Sequence, residues 1–315
     1  MMRIANNKFV SSIGFALLWF GITACSPTNK TVQQDSVKAA QPASGSKAIV
    51  LGDISSNPQK KIRKFQPMAD YLAANLSQFD RGKVKVAPDM ETMLAWLRSG
   101  KVDIYIDSPY PAMLAVNNAD AKPILRRWKK GSAEYHSVIF TMSDRKIKSL
   151  ADLTGKTIAL DHPASTTGYM LPRAEILKAG LKLTEQKSYN ASVPKDEIGY
   201  VFSDEDENSI ELVLSQKVAA AAVDSISFEK MSPEIKDKVT ILAETEKVPR
   251  NIVLVAKDLP VEQIEAISTL LLAMDRTAEG KAVLEKFSQT AKFDNFPTQK
   301  SLDKIQVLYQ TTQNP

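Results

Sequence analysis

Short apolar runs alternate with amphipathic segments along most of this chain, and that alternation constrains the fold more than any other feature. "AIVLGDI" (48–54) leads into "IRKFQPMADYLAANL", then "KVKVAP", "METMLAWLRSG" and "VDIYIDS". After "YPAMLAVNN" come "KPILRRW", "YHSVIFTM", "KTIALDH" and a helical stretch from 172 to 179. "ENSIELVLSQ", "VAAAAVDS", "FEKMSPEIKD", "VTILAE" and "RNIVLVAK" follow. The remainder reads as helical apart from a loop near 293–298, and 180–205 carries no assigned run. Strands separated by helices of about 10–15 residues build βαβ units, so the expectation is an α/β fold with mostly parallel sheets.

Two of these strands end groups of units, 135–142 and 250–257, and each can carry the chain from one lobe to another. The predicted organisation is discontinuous: lobe one from 47 to 137 together with 249–315, and lobe two from 138 to 248. Two crossings make a hinge, and the cleft between lobes becomes the place for a ligand. A single doubly wound domain of about ten strands is the alternative.

The amino terminus assigns a compartment. Residues 1–24 carry Arg3 and Lys8 but no acid, then the apolar "FVSSIGFALLWFGI", which has the length of an export signal and not of a membrane span. Cys25, the chain's one cysteine, follows Ile22, Thr23 and Ala24, and this excludes internal disulfides and multi-cysteine metal sites. Residues 25–46, "CSPTNKTVQQDSVKAAQPASGS", are almost free of large apolar side chains and are read as a flexible tether, reaching about 25 Å at 5–6 Å times the square root of length. The full chain has a formal charge of +5, and removal of the two basic leader residues leaves +3. No basic stripe with interleaved aromatics points to nucleic acid.

"DHPASTTGYMLP" (161–172) carries the chemistry. It stands between a strand and a helix, where open α/β sheets bind ligands. With Ser165 as N-cap, the amides of Thr166, Thr167 and Gly168 lack intrahelical partners and meet the positive end of the helix dipole. Three hydroxyls add donors, which suits a tetrahedral oxyanion. A solvent-filled N-cap is the plain alternative. Pro172 either kinks the second turn or opens the helix itself. Asp161, His162 and Ser165 have the residue types of a hydrolytic triad, but adjacent residues of an extended strand end point to opposite faces, and no Gly-x-Ser-x-Gly elbow is present. "TGKT" (154–157) lacks the first glycine of a phosphate loop and precedes a strand.

"IKSLADLTGKTIALDHPASTTGYMLPRAEILKAG", with "EYHSVIF" before it and "YVFSDEDENSIELVLSQKVAAAAVD" after it, resembles the phosphate/phosphite/phosphonate-binding proteins of ABC importers. The resemblance is strongest over 134–224 and implies a two-lobed periplasmic binding protein of the type II fold. It also makes the "TACS" segment similar to a lipobox, with Cys25 as the lipidated first residue; an ordinary signal peptide is the alternative. In that family the hydroxyls and amides of this helix start hold the phosphorus oxyanion, which carries over to Ser165, Thr166 and Thr167. A tyrosine after the third strand corresponds to Tyr110 in "DSPYPA", whose phenol either reaches an oxygen or packs. This chain departs from the family where relatives often have a ligand-contacting histidine: around "FSDEDENS" it has none, and Asp206 stands near that place. Asp224 ends the following strand, and a carboxylate there accepts only from a protonated oxyanion or an amine. Asp206 and Asp224 are therefore candidates for ligand contacts that set specificity, with surface charge the simpler reading for Asp206. Arg250 is read as a solvated or interlobe residue, with charge supplied to the cleft as the alternative.

The resemblance implies a monomeric, lipid-anchored receptor that needs no cofactor or metal, closes around a small anion and hands it to a permease and its ATPase. The contacts from lobe one would include Tyr110 and the 55–57 loop. The alternatives are a sensor of the same fold that reports to a membrane histidine kinase, and a secreted esterase that uses Ser165 with one of the two histidines.

Overall fold

The structure, a computed structural model, describes residues 47–313. The predicted signal peptide, Cys25 and the tether lie outside these residues. The described chain begins with β1 (Ala48–Ile54), β2 (Arg81–Ala87), β3 (Ile104–Asp107) and β4 (Lys122–Lys129). It then passes through the short β5 (Glu134–Tyr135) into a second group: β6 (Ser137–Met142), β7 (Thr157–Leu160), β8 (Lys182–Glu185), β9 (Glu197–Phe202), β10 (Ala220–Asp224) and β11 (Val239–Glu244). It returns through β12 (Val248–Pro249) to β13 (Asn251–Val255) and β14 (Thr290–Asp294).

Two six-stranded sheets result, ordered β14-β4-β13-β3-β1-β2 and β11-β6-β10-β7-β9-β8, which excludes one continuous doubly wound sheet. In each sheet the strands bearing the helix-start loops, β1–β3 and β7–β10, pair in parallel. The strands that continue from the crossings, β6 and β13, pair antiparallel with their neighbours. The crossings pair with each other, Val248 opposite Tyr135 and Pro249 opposite Glu134.

Helix packing follows the apolar periodicity. In Pro58–Asn75, capped by the Asn57 side chain on the Lys60 amide, Phe65, Met68 and Leu72 face inward against Ile49, Leu51 and Val253. Gly82 on β2 lets that helix approach closely, since a Cβ there would stand 2.1 Å from the Ala69 backbone. The second sheet has its own core of Ile139, Ile158, Leu160 and Ile198. A further apolar cluster spans both sheets' helices: Met170, Leu171 and Ala174 pack with Tyr110, Ile305, Leu308 and Tyr309. The C-terminal helix Lys300–Gln313 thus lies along the seam between the lobes.

Three strands escape the sequence reading. β14 replaces the start of the loop expected near 293–298: it buries Thr290 and Phe293, three residues apart across a shift in its pairing with β4, and Arg126 on β4 clamps Asp294 through Nε and Nη2 at 3.0 and 2.6 Å. β8 and β9 occupy part of the unassigned 180–205; β8 is a polar edge strand, and β9 is buried next to β7.

Candidate functional site

β7 delivers the chain to the 161–172 segment. There Asp161 donates its amide to the Gly168 carbonyl at 3.0 Å, and Ser165 donates to the His162 carbonyl at 2.8 Å. The first turn is wound wider than an α-helix. Met170 donates to Ser165 at 3.0 Å and Leu171 to Thr166, both five residues back, so Thr166–Met170 is a π-helical turn that runs into the α-helix Leu171–Lys178. Pro172 lies in the first turn of that α-helix, close to the second of the two alternatives, in which it opens the helix.

The helix start is only partly free for a guest. Ser165 caps as expected, but its Oγ accepts from the Gly168 amide at 3.0 Å, so that amide is not presented outward as the sequence suggested. The Thr166 Oγ1 accepts from the Tyr110 backbone N–H at 2.9 Å, tying the two lobes together. What remains are the Thr166 and Thr167 amides and the Thr167 hydroxyl, none of which has a hydrogen-bond partner among the described residues.

These groups line a chamber of about 190 Å³. Across it stand Lys129 from the end of β4, Arg250 between the crossing strand and β13, and Asn251. Arg250 places its guanidinium 4.2 Å over the Tyr135 ring and 3.0 Å from Asp224, while its buried Nε has no partner among the described residues. The Asn251 side chain, on a residue only 4% exposed, also carries an unpaired oxygen.

Tyr110 takes a different position from the one expected of a phenol donor. Its ring lies 6.0 Å from both Tyr169 and Tyr309 in the interlobe seam, burial raises its hydroxyl pKa, and the phenol is not part of the chamber wall. The C-terminal helix provides the partners that draw it there.

Four carboxylates share the chamber, and each is moderated differently. Asp107 accepts from the Tyr105 hydroxyl and the Ser108 amide, both at 2.6 Å. Asp224 caps Ser225–Glu229 through the Ile226 amide at 2.6 Å and pairs with Arg250. Burial raises the Asp161 pKa, and a hydrogen bond with Ser165 partly offsets this. Asp206 is no surface charge: it lines the chamber, and burial followed by the nearby Asp224 and Asp161 pushes it up to about 7. Burial, with Arg250 and Arg127 nearby, pushes Lys129 down to about 8.

Both titrations affect anion binding in the same direction. An oxyanion raises the pKa of each group, so binding takes up protons, and affinity falls as pH climbs through 7 and again above 8. Calorimetry with methylphosphonate near pH 7.5, in buffers of different ionisation heat, should show smaller proton uptake in Lys129→Met and Asp206→Asn than in the unaltered chain. The ligand's own titration is common to all three, and equal uptake would remove the assignment.

The hydrolytic arrangement does not form. The His162 ring accepts the Ala164 amide on Nδ1 at 3.0 Å and makes no hydrogen bond to the Ser165 hydroxyl, and His136 lies near Glu244 at 3.9 Å. Ser55 and Ser56, from the 55–57 loop, line an adjoining larger space. Lys129, Asp107 and Asn251 were missed by sequence reasoning. The first stands in "RRWKKG", where alternation fits either lysine as the inward one, and the others sit at strand ends that any α/β site draws on.

A sequence model of the family described as "ABC transporter, phosphonate, periplasmic substrate-binding protein" matches residues 52–298. XAC2383 from Xanthomonas citri, described as bound to ATP, is 26% identical with a TM-score of 0.77, over 84% of this chain and 96% of that one. A binding-protein component of an ABC phosphonate transporter from Pseudomonas aeruginosa, PA3383, is 23% identical with a TM-score of 0.59, over 85% and 87%. PhnD1 from Prochlorococcus marinus, in complex with methylphosphonate, shares the fold at 17% identity and a TM-score of 0.60, over 85% and 99%. The fold is the two-lobed type II fold of periplasmic binding proteins, with mixed sheets flanked by helices. The family works outside the cytoplasm with a small ligand, a permease and an ATPase, as a carrier and not as an enzyme. The chain belongs to the periplasmic substrate-binding proteins of phosphonate ABC transporters.

Proposed function

We propose that this protein captures the oxyanion head of a phosphorus compound (phosphate, phosphite or a phosphonate) between its lobes and presents it to the permease. The observation that carries the reading is the convergence of donors on one small chamber: Thr166 and Thr167, with their unpaired amides and the Thr167 hydroxyl, and the Arg250 guanidinium, with Lys129 beside them. Hydrogen bonds to a charged acceptor contribute about 1.5–3 kcal/mol each, so four or five give tight binding despite the neighbouring acids. The ATP bound to the Xanthomonas citri relative also presents phosphoryl oxygens. Donors come from both lobes, so a bound oxyanion favours the closed arrangement over the open one. Cys25 after Ile22-Thr23-Ala24 supports a lipid anchor with 25–46 as its tether, holding a monomeric receptor at the membrane face. Among the described residues no helix is long and apolar enough to cross a membrane.

Thr167→Val tests the site with little collateral change, because it removes a hydroxyl that bonds to no other protein group described. Methylphosphonate or phosphate should bind at least tenfold more weakly by calorimetry, with the thermal midpoint unchanged. Equal affinity would take the oxyanion away from this helix start.

A further inference from the structure

The chamber that holds the unpaired donors is the smaller part of the cleft. Outside it lies a second space of about 630 Å³ that shares Asp107, Asp161 and Ser165 as walls with the inner one. The lobes already touch through the Tyr110 amide and Thr166, so this volume belongs to the arrangement in which they meet. A phosphoryl group with one methyl substituent is smaller than the inner chamber, whereas sites for larger organic ligands measure about 300–1,000 Å³.

The two spaces differ in chemistry. The outer one has an apolar side built from Ile54, Pro88 and Met90 at the ends of β1 and β2. Asp204 and Glu205, beyond the end of β9, line it from the other lobe, and their carboxylates have no hydrogen-bond or ion-pair partner among the described residues. Asp89 adds a third acid, one of its oxygens being used to cap Met90–Arg98. Among the described residues His162 is the one basic side chain lining this space, against five acids, so its field is negative, while Lys129 and Arg250 line the inner chamber. A flat ring would lie on the apolar side, N–H and O–H groups would find acceptors on the acidic one, and additional phosphates would be repelled.

Building on the oxyanion reading above, we infer that the ligand is a phosphate or phosphonate monoester with a substituent of nucleoside size, its single oxyanion head in the inner chamber and its hydrogen-bond-donating organic part in the outer one. The full-length chain should be titrated by calorimetry with adenosine 5′-monophosphate, ATP and methylphosphonate. The monophosphate should bind at least tenfold more tightly than either of the others, and Glu205→Lys should shift the preference toward ATP at least tenfold. If methylphosphonate binds as well as the monophosphate, the outer chamber contributes nothing and this inference is overturned while the oxyanion reading stands. A nucleotide preference unmoved by Glu205→Lys also overturns it, because the acidic wall would then have no part in the choice. If none of the three binds, the oxyanion reading fails first and takes the inference with it.

Discussion

Arg250→Ala is expected to weaken oxyanion binding at least a hundredfold and to destabilise the fold at the same time. The guanidinium has two roles. It lines the inner chamber, and its Nη1 neutralises Asp224 at 3.0 Å, with both side chains 13% exposed. Removing the arginine therefore takes away a charge-assisted donor and leaves a carboxylate buried without its cation, which costs about 3–5 kcal/mol when a buried pair loses one partner. The carboxylate would keep its helix-capping bond to the Ile226 amide, so it would stay near the site and repel the ligand. Arg250→Lys separates the two roles. A lysine keeps the charge beside Asp224 but lacks the planar fork that also stacks on Tyr135, so stability should largely return while affinity stays low. Calorimetry and thermal unfolding on both variants check this. Near-normal affinity in Arg250→Ala would mean that the guanidinium belongs to the lobe connection alone.

Gly168→Ala should weaken binding by tenfold or more and cost about 1–3 kcal/mol of stability, the usual range for forcing extra volume into a packed place. Gly168 is needed for space. An added Cβ would stand 2.2 Å from the Asp161 Cβ and 3.0 Å from the Ser165 Oγ. The first of those atoms is fixed to the backbone at the end of β7 and cannot swing aside, so the helix start itself must move. Moving it breaks the short loop in which Asp161 donates to Gly168 while Ser165 caps it, and the two free threonine amides lose their common aim. A binding isotherm together with a melting curve decides the matter. Unchanged affinity would show that the aim of these amides is not what holds the ligand.

Much of the helix start was legible before any coordinates. Ser165 is a cap, Thr166 and Thr167 line the chamber, and Asp224 ends a strand beside it. These are local facts, set by turn chemistry and by where a strand hands over to a helix. The details that failed are those in which distant segments compete for the same group. Gly168's amide went to Ser165, Thr166's hydroxyl to Tyr110, and Tyr110's ring to the C-terminal helix, which lies nearly 200 residues further along the chain. For Asp206 surface charge was the simpler of two readings, because helix position says nothing about the acids that gather around it.

The order of apolar runs, the cap at the helix start and the family motif are written in local sequence, because periodicity, hydroxyl spacing and backbone donors act over a few residues. Which donors stay unpaired, how far Lys129 and Asp206 move from their ordinary ionisation, and how the cleft divides into an inner chamber that holds Lys129 and Arg250 among its acids and an outer one without either cation were decided only when two sheets and a late helix came together. Burial and charge proximity are properties of assembled surfaces, and no window of sequence contains them.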